Sequence, residues 1–194
     1  PQHSKTLHSW FANLPGLSVI YPSSPYEAKG LLLSSIFSNF PTIFFESRNL
    51  HASEEEVPVK PYFLDPTKSF IRKKGKDITI IGFGPSVINA LQASSKLEKI
   101  KKISSEIIDL RTINPLDEKT ILQSVNKTKN LCVIEHGWPN SSLSSDIISK
   151  VTSKIILKNK PLQICWPNSF VPCAHNLEKK FYFDSDTIVK KILN

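Results

Sequence analysis

Methionine is absent from this 194-residue chain, glycine occurs six times and cysteine three times. Each scarcity excludes something. Cys132, Cys165 and Cys173 form no C-x-x-C pair and no disulfide framework, so neither a structural zinc site nor a stapled scaffold is expected. Two of the three lie in apolar runs, which suits a reduced, intracellular compartment. With so few glycines there is no glycine-rich RNA-binding signature. No apolar run reaches the ~20 residues of a bilayer span. No arginine-rich leader or secretory apolar stretch stands at the start. The expectation is therefore a protein with no membrane and no nucleic acid among its partners.

What is present describes a globular chain, with 40% hydrophobic and 22% charged residues. The net charge of +8 gathers in "IRKKGK" (71–76) and "KLEKIKK" (96–102). Aromatic side chains do not interleave with those lysines, so they read as solvated surface, with an acidic protein partner as the sharper alternative.

The pattern along the chain predicts alternating strands and helices. "LSVIYP" (17–22) reads as a strand and "TIFFES" (42–47) as a buried one. Between them Ser24, Pro25 and Glu27 spell a capping box with proline at the first helical position. Ala28, Leu31, Leu32, Ser35 and Ile36 then fall on one face of that helix. Residues 48–66, with three prolines and an acidic triplet, read as an extended linker. Beyond it strands are expected over 77–84, 105–113, 130–137 and 161–167. Helices are expected over 85–100, 116–128, 141–155 and 185–193, the last capped by Asp184 or Ser185. This alternation predicts a mainly parallel sheet covered by helices on both faces. The first 60 residues hold only two strands and one helix, too little to stand alone. Together with the missing initiator, that predicts a first domain lacking its N-terminal half.

Several motifs invite chemistry. "IGFGPSV" has two glycines between a strand and a helix but lacks the third of a dinucleotide fingerprint, so a tight strand–helix turn is the better reading. Asp109 stands where a ribose-binding acid would, inside what reads as a structural turn. His3, His8 and His51 have the wrong spacing for a metal set. "EHGWP" (135–139) puts a carboxylate, a histidine and an indole at a strand end. That position suits function in α/β proteins, or simply a polar loop with a packed tryptophan.

The order of "QHS", "WFANLPGLSVIYPSSPYEAKGLLLSSI", "PTIFFESRNL", "EEVPVKPY", "IIDLRTINPLDEKTI" and "VIEHGWP" resembles the beta subunit of the thiamine-diphosphate-dependent 2-oxo acid dehydrogenases. These are the decarboxylating first components of the pyruvate and branched-chain complexes. The resemblance implies an α/β fold: the C-terminal part of a thiamine-diphosphate pyrimidine-binding domain (1–60, with linker), then a transketolase C-terminal-like three-layer α/β/α domain (61–194). It implies oxidative decarboxylation of pyruvate, favoured by Trp138–Pro139, or of a branched-chain 2-oxo acid, favoured by "EEVPVKPY", with acyl transfer to lipoamide. A transketolase or deoxyxylulose-phosphate synthase fragment and a non-catalytic assembly module are the alternatives.

By the same resemblance, His3 matches the histidine that lies over the reactive carbon of the cofactor, and so is both catalytic and cofactor-binding. Imidazole suits that role because acyl transfer needs a group that titrates near neutrality. Lys5 stands where the family has glutamine. His8 is expected to be structural. A potassium ion would be held mainly by backbone carbonyls at Ser35, Ile36, Ser38 and Phe40, although Ser38 and Phe40 replace an aspartate and an asparagine. The glutamate that contacts the cofactor's aminopyrimidine is missing, and magnesium and diphosphate would be the alpha subunit's. Implied partners are that alpha subunit, a second beta subunit and the dihydrolipoyl acyltransferase core, the last docking at "FDSD" (183–186) through Asp184 and Asp186. The compartment would be the cytoplasm of a bacterium or the mitochondrial matrix of a eukaryote.

Overall fold

The computed structural model describes residues 4–194. The chain opens with a short helix, α1 (His8–Ala12), which periodicity did not reveal, and enters β1 (Ser18–Ile20). The helix α2 (Pro25–Ile36) leads to β2 (Thr42–Phe44), parallel to β1. A single 3-10 turn, Arg48–Leu50, follows. The edge strand β3 (Phe70–Lys73) was also missed; its residues are mostly charged or exposed, the usual disguise of an edge. Then come β4 (Ile78–Gly82), α3 (Ser86–Lys101), β5 (Ser105–Asp109), β6 (Thr112–Asn114), α4 (Glu118–Thr128) and β7 (Leu131–Ile134). The chain finishes with α5 (Leu143–Thr152), β8 (Leu162–Ile164), the unforeseen α6 (His175–Phe181) and α7 (Ser185–Leu193).

Two sheets result. The larger has the order β3-β5-β4-β7-β8, parallel except for β3. Its inner strands β4, β5 and β7 are buried on both sides, so alternate residues serve two cores. Ile81, Ile108 and Val133 pack with Ile121, Val125 and Ile147 of α4 and α5. Ile80, Ile107, Cys132 and Ile134 pack with Ala90, Ala93 and Leu97 of α3 and Ile188 of α7. That is the expected three-layer arrangement. The smaller sheet has the order β2-β1-β6. The strand expected over 105–113 is therefore two: after Asp109 the chain turns through Arg111, at φ 60°, and β6 crosses to pair antiparallel with β1.

Local chemistry explains the boundaries. Side chains of Ser24, Asp117, Ser142 and Asp184 accept the backbone N–H three residues on, capping α2, α4, α5 and α7. Glycine being scarce, Lys102 and Lys129 take the left-handed position that ends α3 and α4, each at φ 57°. Gly84 (φ 52°) has no such substitute: a Cβ there would lie 2.6 Å from the buried Tyr21 ring.

Two expectations need correcting. The buried line of α2 is Glu27, Gly30 and Leu31, whereas Leu32 and Ile36 are exposed. β2 is only half-buried. The linker is extended but not loose. It straps along α2: Tyr62 stacks on Tyr26 with centroids 4.6 Å apart, and Leu64 fills the notch over Gly30. The missing Cβ of Gly30 makes that strap possible.

Candidate functional site

Two clusters of buried charge join the short N-terminal sheet to the larger one. In the first, Glu27 faces Arg111, with Nε to Oε2 at 2.6 Å and Nη2 donating to Oε1 at 2.8 Å. Arg72 donates to Asp109 at 3.2 Å and to Ser23 at 2.7 Å, while Ser23 donates to the same Asp109 oxygen. Both guanidinium groups lie over the Phe70 ring. Two arginines against two carboxylates leave the cluster neutral, which is how it tolerates burial. Half of the predicted capping box is thus overruled: Ser24 caps α2, but Glu27 turns inward to Arg111 instead of back to the helix start.

The second cluster is a clasp. His8, at the start of α1, is 1% exposed and its Nε2 lies 2.7 Å from Oε1 of Glu135, also 1% exposed. Phe83 meets the imidazole edge-on at 5.0 Å, with Tyr21 and Phe45 beyond it. Glu135 also accepts from the Ser144 N–H at 2.7 Å, near the start of α5. Burial would raise the Glu135 carboxyl, but the His8 hydrogen bond, the His8 charge and Ser144 outweigh it and hold it below its ordinary range. The expected structural role of His8 is therefore specific: it plugs the first segment into the carboxyl end of β7.

That end of the sheet is where open α/β folds place ligands, between the strands at which the winding reverses. Here β4 and β7 are those strands. Beside the clasp lies a cleft of about 280 Å³, continuous in lining with one of about 480 Å³. Ser4, Lys5, Arg48, Pro85, His136 and Tyr182 border it. His136 hydrogen-bonds Asn89 at 2.9 Å and packs on Phe183; burial, then the His8 charge, pulls its pKa down to about 4. It is a neutral imidazole at physiological pH. A hollow of about 1110 Å³ lies elsewhere, between α1 and the start of α5, and its carboxylates Glu118 and Asp146 are tied to Lys154 and Lys150.

His3 lies outside the described residues, but the segment that follows it, Ser4 to Thr6, lines the smaller cleft. Ser35, Ile36, Ser38 and Phe40 fall at the end of α2 and in the turn after it. There the Ser35 carbonyl accepts from Ser38 N at 3.2 Å, and the Phe40 carbonyl from Thr42 Oγ1 at 3.2 Å. Of "EHGWP", Glu135 goes to the clasp, His136 to the cleft, and Trp138 donates to the Ser169 carbonyl at 2.9 Å. His51 is exposed near Glu46. Among the described residues no three His, Cys, Asp or Glu side chains converge as a metal site would require. "IGFGPSV" is the tight turn expected, its Gly84 N–H donating to the Tyr21 carbonyl. Asp184 and Asp186 are already engaged, Asp184 as the cap of α7 and Asp186 with Lys96 at 2.6 Å. The two charge clusters escaped sequence reading because their side-chain hydrogen bonds join residues far apart, from 37 positions for Arg72 and Asp109 to 127 for His8 and Glu135. The only local signal was "DLRT", two opposite charges in an otherwise apolar stretch.

Residues 68–188 match the family model "Transketolase, C-terminal domain", and residues 1–53 match "Transketolase, pyrimidine binding domain". The chain is 40% identical over 179 residues to the acetoin:2,6-dichlorophenolindophenol oxidoreductase beta subunit of Cupriavidus necator, covering 91% of this chain and 53% of that protein. It is 35% identical over 173 residues to the pyruvate dehydrogenase E1 component beta subunit of Bacillus subtilis, covering 88% and 53%. The chain thus spans about half the length of these curated relatives. Among solved structures, a split-gene transketolase described as an inactive beta4 tetramer superposes with a TM-score of 0.82 at 19% identity, over 96% of this chain and 60% of that one. With the three-layer domain, the second sheet that leans on it and these matches in hand, the chain belongs to the transketolase C-terminal domain family, preceded by a stretch of the pyrimidine-binding domain.

Proposed function

We propose that the protein carrying this chain is the beta subunit of a thiamine-diphosphate-dependent 2-oxo acid dehydrogenase, working with an alpha subunit in oxidative decarboxylation. The observation that carries this reading is identity of 35–40% with pyruvate dehydrogenase E1 and acetoin oxidoreductase beta subunits across most of the chain. Geometry supports it: the residues just after His3 border a cleft at the carboxyl end of the sheet. In this proposal His3 would orient reacting groups or protonate them beside the thiamine diphosphate, which would supply the carbanion chemistry when bound. The clasp at His8 anchors the segment that bears it. In this proposal magnesium and diphosphate belong to the alpha subunit. Potassium would sit against the carbonyls of Ser35, Ile36, Ser38 and Phe40, where the negative end of the α2 dipole favours a cation. A second beta subunit and the acyltransferase core complete the proposed assembly, in a bacterial cytoplasm or a mitochondrial matrix.

A second reading, acetoin oxidation, is favoured by one observation: a 37% identical acetoin oxidoreductase beta subunit from Bacillus subtilis matches over 99% of this chain. The test is to co-express the full-length gene with its alpha subunit and follow dichlorophenolindophenol reduction with pyruvate, 3-methyl-2-oxobutanoate and acetoin. A 2-oxo acid as best substrate upholds the proposal and acetoin supports the second reading; activity with none of them refutes both. His3→Ala should severely impair reductive acylation of lipoamide with the fold intact, and unchanged turnover would remove His3 from the site.

A further inference from the structure

The lysine runs that looked scattered in sequence converge in space. In a parallel α/β sheet the helices end where the strands begin. Here that edge collects Lys76 from the β3–β4 turn, Lys102 ending α3, Lys129 ending α4, Lys158 and Lys160 before β8, and Lys191 in the last turn of α7. Backbone contacts hold these connections side by side: Lys76 N donates to the Ser104 carbonyl at 3.1 Å and Lys158 N to the Lys129 carbonyl at 2.8 Å.

Of the carboxylates of the edge, Glu106 is ion-paired, whereas Asp77 keeps its charge beside the cleft described below. Asp77 accepts from the Ser104 N–H at 2.7 Å, and Glu106 is held by Lys127 and the Gly75 N–H. Among the described residues no side-chain carboxylate lies within ion-pair distance of Lys76, Lys102, Lys158, Lys160 or Lys191. Helix dipoles account for a lysine at each helix end, but they leave Lys76, Lys158 and Lys160 unexplained. Much of the net +8 therefore sits on one face.

That face also has a hollow. A cleft of about 550 Å³ opens between the starts of β4, β7 and β8 and the end of α7. Its rim carries Lys160, Lys191, Asn130 and Asn159 with one carboxylate, Asp77, and its floor is apolar, with Ile103, Leu162 and Ile192 half-buried. Nucleic acid would use the charge but not the floor, and no aromatic ring lines the cleft for bases to stack on. An acidic peptide with apolar side chains uses both.

We propose that this lysine-rimmed cleft is the docking surface for an acidic protein segment that carries apolar residues between its carboxylates. The cations steer and orient the segment while the floor takes its side chains.

The test uses the 194-residue chain and a fluorescein-labelled 12-residue peptide of glutamates with leucine at every third position, followed by anisotropy. Saturable binding is expected. It should weaken about tenfold in Lys160→Glu/Lys191→Glu and between 50 and 300 mM NaCl, and should weaken again when serines replace the peptide leucines. Lys179→Glu/Lys180→Glu, on α6 at the opposite end of the sheet, should leave it unchanged. Thermal melts confirm folding, and Lys76→Glu/Lys158→Glu serves as the second variant if the first melts early. No binding, binding indifferent to both double variants, or tighter binding of a 20-nucleotide oligo(dT) or of phosphatidylserine vesicles would overturn the proposal.

Discussion

Replacing His8 with leucine isolates the worth of the clasp. Leucine is close to histidine in volume and keeps the contacts with Phe83, Tyr21 and Phe45, so little cavity forms. What disappears is the imidazole that hydrogen-bonds a carboxylate 1% exposed. Breaking a buried pair from one side costs about 3–5 kcal/mol, because the remaining charge is stranded. For a chain of this length that corresponds to a fall in Tm of roughly 6–20 °C at pH 7. Replacing both partners, His8→Leu with Glu135→Leu, should cost less than His8→Leu alone, since no charge is left behind.

The pH dependence carries a sign. In the native protein the Glu135 carboxyl is held below its ordinary range. Its contribution is therefore present above the unfolded pKa, about 4.3, and is lost as pH falls through the depressed folded value. In His8→Leu the His8 contributions vanish and burial is opposed by Ser144, so the carboxyl rises relative to the native protein. The stranded charge then penalises folding at neutral pH and ceases to do so as pH falls below the unfolded value. The stability gap between the two proteins should be widest near pH 7 and shrink toward pH 4. Thermal melts at half-unit pH steps, read by far-UV circular dichroism, measure it. A His8→Leu variant that melts within a degree of the native chain at pH 7, or a gap of constant size across the pH range, would refute the reasoning.

Gly84→Ala should lower stability by about 2–4 kcal/mol, combining left-handed backbone strain with a clash at a ring that cannot retreat, and a urea midpoint that does not move would contradict it. Cys132 and Cys165 are pushed up to about 12 and about 11 by burial, while Cys173 is exposed. A disulfide reagent at pH 8 should therefore modify one thiol in the native chain and all three in guanidinium, and two fast native thiols would show the core to be looser than described.

The larger domain was legible because its signals are local. The runs "DITIIG" and "NLCVI" are apolar on both faces, and the serine and aspartate caps sit within three residues of the N–H groups they satisfy. What was not legible depends on partners distant in sequence. "SEIIDLRTI" looks like one strand because nothing local announces that Arg111 adopts a positive φ and sends β6 to another sheet. Glu27 was given to a capping box because its true partner lies 84 residues away. Leu32 and Ile36 satisfied a helical period yet face outward, since periodicity reports a stripe but not what covers it. At the site, His8 and Glu135 were each noticed and never paired.

The crossing of β6 into the smaller sheet has a consequence for how the chain is made. Ile20 pairs with Thr112 and Val19 with Asn114, so the antiparallel neighbour of β1 emerges from the ribosome about 90 residues after it. At ordinary synthesis rates that is an interval of roughly 5–20 s. Throughout it β1, α2 and β2 have one flank unpaired and the inner face of Tyr21 uncovered. The first segment thus gains its antiparallel neighbour while α4 to α7, and with them one core of the larger domain, are still to be made.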